Sequence, residues 1–349
     1  MQRILFTGGG SAGHVIPNVA LIQKLLDEGK VDVCYMGTDG IEKDIITPWK
    51  IPYCQIECPK LIRGGGFKGF WQNLKIPFAL KRAVQSAKEG LKRIQPTVVF
   101  SKGGYVALPV VIAAKKLKIP CFAHESDLSV GLANKLSSRY CKRVFTSFPE
   151  TAKRLKNGEF TGAPIRESLL HASRAIARQK YDIPSGKKVV LVFGGGSGSA
   201  RINQAVREHI QTLTREYFVL HICGKGNLVN SRIQNYVQIE FAEDMSEVYA
   251  LADVVVCRAG AGTLFELLAL KKPALVIPLE GQTRGDQLQN ADYFKHRGLC
   301  HVLHQNDLKA LPQAIERTLL DDGLKARLTQ SGFTCGNERI LTALQEVGV

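Results

Sequence analysis

Three glycine turns, each behind a run of apolar β-forming residues, carry most of the side chains able to do chemistry. Gly8-Gly9-Gly10-Ser11-Ala12-Gly13-His14 follows Arg3–Thr7, Gly194-Gly195-Gly196-Ser197-Gly198-Ser199 follows Lys188–Phe193, and Arg258-Ala259-Gly260-Ala261-Gly262-Thr263 follows Val254–Val256. A strand that enters such a turn and then a helix offers unpaired N–H groups at the helix N-terminus, and glycine lets an anion come close. Phosphate is the ligand this suits. Behind the third turn, Thr263 is placed to cap the helix and Glu266 stands one turn in. A carboxylate there either complements the helix dipole or accepts hydrogen bonds from a ligand's paired hydroxyls, as acidic residues do for ribose.

The Gly8-x-Gly10-x-x-Gly13 spacing satisfies the dinucleotide fingerprint, but no acid falls clearly at the end of the second strand, Asp39 being a late candidate. The second turn has Ser199 where a third glycine would be. Hydride transfer needs one such turn; a duplicated set suits a diphosphate ligand held across a cleft. His14, with an ordinary pKa of about 6.5, matches proton transfer at neutral pH, although a histidine in a turn also serves simply to start a helix. The chain has no Asp-x-Asp metal motif, so the expected metal set is none and no cofactor is implied.

The elements that must position these turns alternate. After Arg3–Thr7 come strand-like runs at Val31–Met36, Thr97–Phe100, Cys121–Ala123 and Arg143–Thr146, with helical stretches between several of them, and the pattern restarts with Lys188–Phe193, Phe218–Cys223, Val237–Phe241, Val254–Val256 and Ala274–Ile277. This alternation predicts an α/β chain of two Rossmann-like parallel-sheet domains, with ligand at the carboxyl ends of the strands and between the domains. The expected boundaries are 1–162, 163–330 and a C-terminal helix at 331–349 that packs back on the first domain. The segment from Glu150 to Lys187, with Gly162-Ala163-Pro164 and Pro184-Ser185-Gly186, reads as a connector.

The 349 residues, 45% of them hydrophobic, suffice for two ordinary cores. Met1-Gln-Arg-Ile-Leu-Phe lacks the shape of a leader, and the longest uncharged apolar stretch, Gly103–Ala114, is short of the roughly 20 residues a spanning helix needs. Nine scattered cysteines without Cys-x-x-Cys read as reduced core residues. The formal charge of +16 is concentrated: from Lys60 to Arg93 nine basic residues face one acid, Glu89. Phe67, Phe70, Trp71, Leu74 and Phe78 are interleaved with Lys75, Lys81 and Arg82 there. No nucleic-acid motif accompanies the patch. Exposed rings among cations fit an anionic membrane surface better, each cation adding about 1 kcal/mol near it; the alternative is a solvated helix with Ile76, Leu80, Val84, Ala87 and Leu91 as its buried stripe.

The motifs Gly9-Gly10-Ser11-Ala12-Gly13-His14, Gly103-Gly104-Tyr105, His124-Glu125 with Gly131 and Asn134, Gly162-x-Pro164-x-Arg166, Gly194-Gly195-x-x-Gly198 with Asn203, Arg258-x-Gly260-Ala261-x-Thr263-x-x-Glu266 and Gln287-x-x-Asn290-Ala291 stand in one order. In this the chain resembles glycosyltransferase family 28, the lipid-acceptor N-acetylglucosaminyltransferases, from about residue 3 to 345. The resemblance implies a GT-B fold and inverting transfer of N-acetylglucosamine from UDP-N-acetylglucosamine to undecaprenyl-pyrophosphoryl-N-acetylmuramyl-peptide (lipid I), giving lipid II at the cytoplasmic face of the bacterial membrane. It implies His14, Tyr105, His124 and Glu125 as catalytic candidates, with Asn134 also facing the acceptor. Ser11, Gly13 and Asn134 are counted toward the donor as well. Glu266 would hold the uridine ribose, Phe241, Ala242 and Met245 the uracil, and Arg166, Gly195, Gly196, Ser197, Gly262 and Thr263 the ribose and diphosphate, while Gln287 and Asn290 would meet the sugar. The chain departs from the family pattern at Ser126-Asp127, at Gly196 and at Asp286. A divergent member glycosylating another lipid-linked sugar, a UDP-sugar epimerase, or a non-catalytic UDP-sugar binder are the alternatives.

Overall fold

Short runs rich in Val, Ile, Phe and Cys form strands whose residues are buried on both faces, as parallel sheets covered by helices require. The computed structural model describes residues 2–59, 76–281 and 285–348. It divides into one unit comprising Met1–Arg166 with Thr334–Val349, and a second comprising Glu167–Phe333. In the first, strands β1 (Arg3–Thr7), β2 (Asp32–Gly37), β3 (Tyr53–Gln55), β4 (Val98–Ser101), β5 (Cys121–Glu125), β6 (Arg143–Thr146) and β7 (Gly158–Phe160) lie in the order β3-β2-β1-β4-β5-β6-β7. Every pairing is parallel. Alternate residues of β1 face opposite layers. Ile4 and Phe6 pack with Leu21 and Leu25 of helix Ile16–Glu28, whereas Leu5 packs with Val84 and Leu91 of helix Ile76–Ile94 and Val110 of helix Ala107–Lys116.

The second unit repeats the design with β8 (Lys188–Phe193), β9 (Tyr217–Ile222), β10 (Tyr236–Ile239), β11 (Val254–Cys257), β12 (Ala274–Val276) and β13 (His301–Val302), ordered β10-β9-β8-β11-β12-β13 and parallel throughout. Val190, Val192, Val254 and Val256 form its centre with Ile202, Val206 and Ile315 from flanking helices.

The chain's end returns to the first unit. Cys335 bridges Ala163, and Asn337 clasps Ile165 from both sides, accepting from its N–H (3.0 Å) and donating to its carbonyl (2.7 Å). Ile340, Leu341 and Leu344 of helix Asn337–Gln345 complete the cluster around Ile4 and Phe6. The stretch from Glu150 to Lys187, expected as a connector, carries short elements of its own. β7 adds to the sheet beside β6, and helix Arg174–Lys180 packs on helix Met245–Leu251 of the second unit.

Of the basic patch, Phe67, Phe70, Trp71 and Lys75 lie outside the described residues. Helix Ile76–Ile94 buries Val84, Ala87 and Leu91 and leaves Phe78, Lys81, Arg82, Lys92 and Arg93 exposed, Phe78 by 75%. Val84, Ala87 and Leu91 thus form the buried stripe expected of a helix, with the cations on its exposed face. The nine cysteines are free thiols, seven of them buried. Among the described residues no helix is long and apolar enough to cross a membrane.

Candidate active site

In a doubly wound sheet, the loops at the carboxyl ends of two strands diverge where the strand order reverses, and that crevice receives ligand. In the first unit the reversal lies between β1 and β4, whose last residues Thr7 and Ser101 are register partners, with the Lys102 N–H donating to the Thr7 carbonyl (2.8 Å). The turn Gly8–His14 and the turn carrying Tyr105 are therefore neighbours. They touch at Gly10, where φ is +82° and a side chain would put its Cβ 2.5 Å from the Tyr105 ring. Ser11 and Gly13 are exposed, and His14 closes a short 3-10 turn, with Nδ1 2.9 Å from Ser11 Oγ.

The end of β5 supplies the floor. His124 is fully buried, with Nε2 3.2 Å from the Gly162 carbonyl. Burial, reinforced by the nearby Lys102 ammonium, holds its pKa well below the ordinary imidazole value, so the ring is neutral at pH 7. Glu125 gathers the following loop, accepting from the N–H groups of Asp127 (3.1 Å) and Gly131 (2.8 Å) and from Asn134 Nδ2 (3.0 Å), which also donates to the His124 carbonyl. His124, Glu125 and Asn134 thus frame the crevice from within, whereas His14 and Tyr105 stand at its partly exposed rim. Lys102 is 1% exposed and donates to Ser126 Oγ at 2.6 Å. Burial pulls its pKa down to about 8 against the opposing pull of Glu125 and Asp127.

The second unit reverses between β8 and β11, where Phe193 and Cys257 are partners. Gly195, Gly196 and Ser197 are exposed, and Ser199 caps helix Ala200–Glu208 by accepting from the Ile202 N–H. Arg258 ties three strand ends together: it is buried, donates to the carbonyls of Ile277 and Pro278 (3.1 Å each), and reaches Ser199 Oγ at 2.7 Å. Thr263 does not cap the third turn's helix. The Leu264 N–H already closes onto the Gly260 carbonyl (3.0 Å), which makes Gly260 the cap and puts Thr263 inside the first turn of helix Ala261–Ala269. Gly262, Thr263 and Glu266 are half-buried there, and Glu266 accepts from the buried Tyr249 hydroxyl at 2.9 Å.

The remaining candidates lie on other loops and helices. Phe241 is 68% exposed, Ala242 is buried, and Met245 opens a helix capped by Asp244. Gln287 accepts from the Leu279 N–H (2.9 Å), and Asn290, mid-helix and fully buried, donates to the Ala259 carbonyl (3.2 Å). Arg166 is half-buried at the end of the first unit's main stretch.

Two crevices of one design, each with glycine turns at a strand-order reversal, set the comparison with known proteins. Residues 4–146 match the N-terminal domain model of glycosyltransferase family 28, and residues 189–334 match its C-terminal domain model. The chain belongs to glycosyltransferase family 28. The UDP-N-acetylglucosamine–N-acetylmuramyl-(pentapeptide) pyrophosphoryl-undecaprenol N-acetylglucosamine transferase of Clostridium perfringens is 45% identical over 315 residues, covering 88% of this chain and 87% of that one. The protein of the same name from Clostridium kluyveri is 44% identical over 353 residues, covering 99% and 96%. Among solved structures, Acinetobacter baumannii MurG superposes with a TM-score of 0.74 at 24% identity, covering 99% of both chains, and the calicheamicin glycosyltransferase CalG4 with 0.70 at 15%, covering 100% and 97%. These two establish the two-domain GT-B fold. All first-crevice candidates fall inside the first family 28 match and all second-crevice candidates inside the second, with Arg166 between them.

Three groups went unassigned from the sequence. The acid near the end of β2 is not Asp39, which is exposed and pairs with Lys43 (2.7 Å), but Glu42, whose carboxylate meets the first glycine turn. Lys102 and Tyr249 carried no local signal either, since one precedes a glycine pair and the other sits in a helix of mixed composition. Only contact across the sheet gives them a role.

Proposed function

We propose that this family 28 enzyme transfers N-acetylglucosamine from UDP-N-acetylglucosamine to undecaprenyl-pyrophosphoryl-N-acetylmuramyl-pentapeptide, lipid I, making lipid II at the cytoplasmic face of the bacterial membrane. The observation that carries this reading is the pair of reversal-point crevices on a chain that is 44% identical, over 99% of its length, to a transferase of that name. The second unit takes the donor. UDP's diphosphate meets the N–H groups of the exposed Gly195–Ser197 turn and the helix starts at Ala200 and Ala261, Glu266 takes the ribose hydroxyls, and Phe241 covers the uracil.

The first unit takes the lipid-linked acceptor. In the transfer, the acceptor hydroxyl oxygen attacks the anomeric carbon as the bond to the UDP oxygen breaks, that electron pair leaving on the diphosphate. In the tautomer whose Nδ1–H faces Ser11 Oγ, 2.9 Å away, the ring's lone pair lies on Nε2, which takes the hydroxyl proton. Tyr105 stands beside it at the rim. His124, Glu125 and Asn134 are positioning residues under that rim. Phe78, Lys81 and Arg82, on the exposed face of helix Ile76–Ile94, meet the anionic membrane surface that presents the acceptor.

UDP release tests the reading. Release with lipid I and little with other polyprenyl-linked sugars is the expected outcome; UDP binding without release for any lipid acceptor would leave only a sugar-nucleotide binder.

A further inference from the structure

The first glycine turn has the spacing of an anion cradle, yet one of its N–H groups is already taken by the protein itself. Glu42, fully buried near the start of helix Ile41–Ile46, accepts from the Gly10 N–H through Oε2 (3.1 Å). Its Oε1 accepts from both the N–H (3.0 Å) and the hydroxyl of Thr38. The turn is shaped to admit this group, since a Cβ on Gly9 would stand 2.5 Å from the Glu42 carboxyl carbon. From the far side, the Tyr53 hydroxyl donates to the Thr38 carbonyl (2.6 Å) and fixes that loop. The Tyr105 ring lies over Gly10, so close that a Cβ there would stand 2.5 Å from it.

We propose that Glu42 is a positioning residue for glycosyl transfer: its carboxylate stands in for a bound anion behind the first glycine turn and locks the Gly10 backbone, Thr38 and the Tyr105 phenol into one arrangement. The claim rests on the assigned reaction only in that Tyr105 is placed at the acceptor. It has a consequence for selectivity. A nucleotide phosphate at Gly10 would have to displace a buried carboxylate of like charge, so the turn that resembles a dinucleotide fingerprint is closed to the donor, and UDP is left to the second unit. Two oxygens facing three donors also make the position intolerant of an amide. Either orientation of a glutamine would turn its NH2 toward the N–H of Gly10 or toward that of Thr38.

The test uses the full chain with Glu42→Gln, Thr38→Val and Tyr105→Phe. Expected are a fall in kcat of about tenfold or more for Glu42→Gln, the scale a displaced reacting geometry produces, and a smaller fall for Thr38→Val. The Kd for UDP should stay within about twofold in both, because the donor's crevice belongs to the other unit. In a Tyr105→Phe background, Glu42→Gln should cost much less than it does alone. Folded variants with unchanged kcat, or equal costs with and without Tyr105, would overturn the proposal. Should Glu42→Gln fail to fold, Thr38→Val decides by the same readouts. A wild-type enzyme that transfers nothing to lipid I would count against the reaction instead, and the positioning claim would then be settled by NMR of ring-labelled tyrosine. The Tyr105 phenol is held above its ordinary pKa by burial first and by Glu42 among other groups, Cys58 included. Its resonance, identified by its loss in Tyr105→Phe, should therefore shift in Glu42→Gln and titrate at lower pH. An unmoved resonance refutes the positioning role whatever the activity.

Discussion

Replacing Glu266 with alanine isolates the donor site's chief specificity contact. The carboxylate sits half-buried on helix Ala261–Ala269, and Tyr249, itself 1% exposed, aims it through a 2.9 Å hydrogen bond. A carboxylate has about four acceptor positions, enough in number for this bond and for two vicinal hydroxyls. Hydrogen bonds to a charged group contribute about 1.5–3 kcal/mol each, and for a half-exposed carboxylate the pair together should give about 3 kcal/mol, or roughly 150-fold in Kd. Calorimetry with UDP and with 2′-deoxy-UDP separates this contact from general damage. Wild-type protein should bind the deoxy ligand about tenfold more weakly, the loss of one such bond, whereas Glu266→Ala should bind both ligands alike and weakly. Tyr249→Phe, which frees the carboxylate to turn, should cost about 1 kcal/mol, or about fivefold. A Glu266→Ala protein with unchanged UDP affinity, or one that still distinguishes the deoxy ligand, would remove Glu266 from the ribose.

Vesicle binding should weaken as salt rises, because the Debye length falls from about 10 Å at 0.1 M to about 3 Å at 1 M, and Phe78→Ser with Lys81→Glu should weaken it at low salt as well; sedimentation with anionic liposomes reads both, and unaltered binding would detach this helix from the membrane. Turnover should survive exhaustive chelation within about twofold if helix starts carry the leaving diphosphate, while loss with EDTA and recovery with magnesium would assign that task to a cation. Lys102 ionises at about 8 when folded against an ordinary 10.5, so between those values the unfolded chain binds more protons and stability should rise with pH. Calorimetric unfolding of Lys102→Met should lack that rise, and an identical pH profile would mean that Lys102 is not the group responsible.

The sequence made most of the strands visible because a parallel strand buried on both faces is a continuous apolar run, as Lys188–Phe193 and Val254–Cys257 are. β3, β7 and β13 escaped it: they are three, three and two residues long and mix polar with apolar residues, whereas the equally short β12 is wholly apolar. The glycine turns were legible because glycine is required where backbone meets a side chain, as at Gly10 under Tyr105. Thr263 misled because Ser and Thr favour caps in general, whereas here the extended backbone of Gly260 had already begun the helix. Glu42 was hidden for a different reason. Its partner Gly10 lies 32 positions away in the chain, and no local pattern distinguishes it from a solvated acid in the first turn of a helix.

The most direct measurement of the central claim follows the sugar itself. Full-length protein, UDP-N-acetylglucosamine labelled in the sugar, and lipid I should give UDP and one labelled lipid product in equal amounts, with the new glycosidic bond in the β configuration, inverted from the α-linked donor. Free N-acetylglucosamine, an epimerised UDP-sugar, or a product of retained configuration would contradict the account.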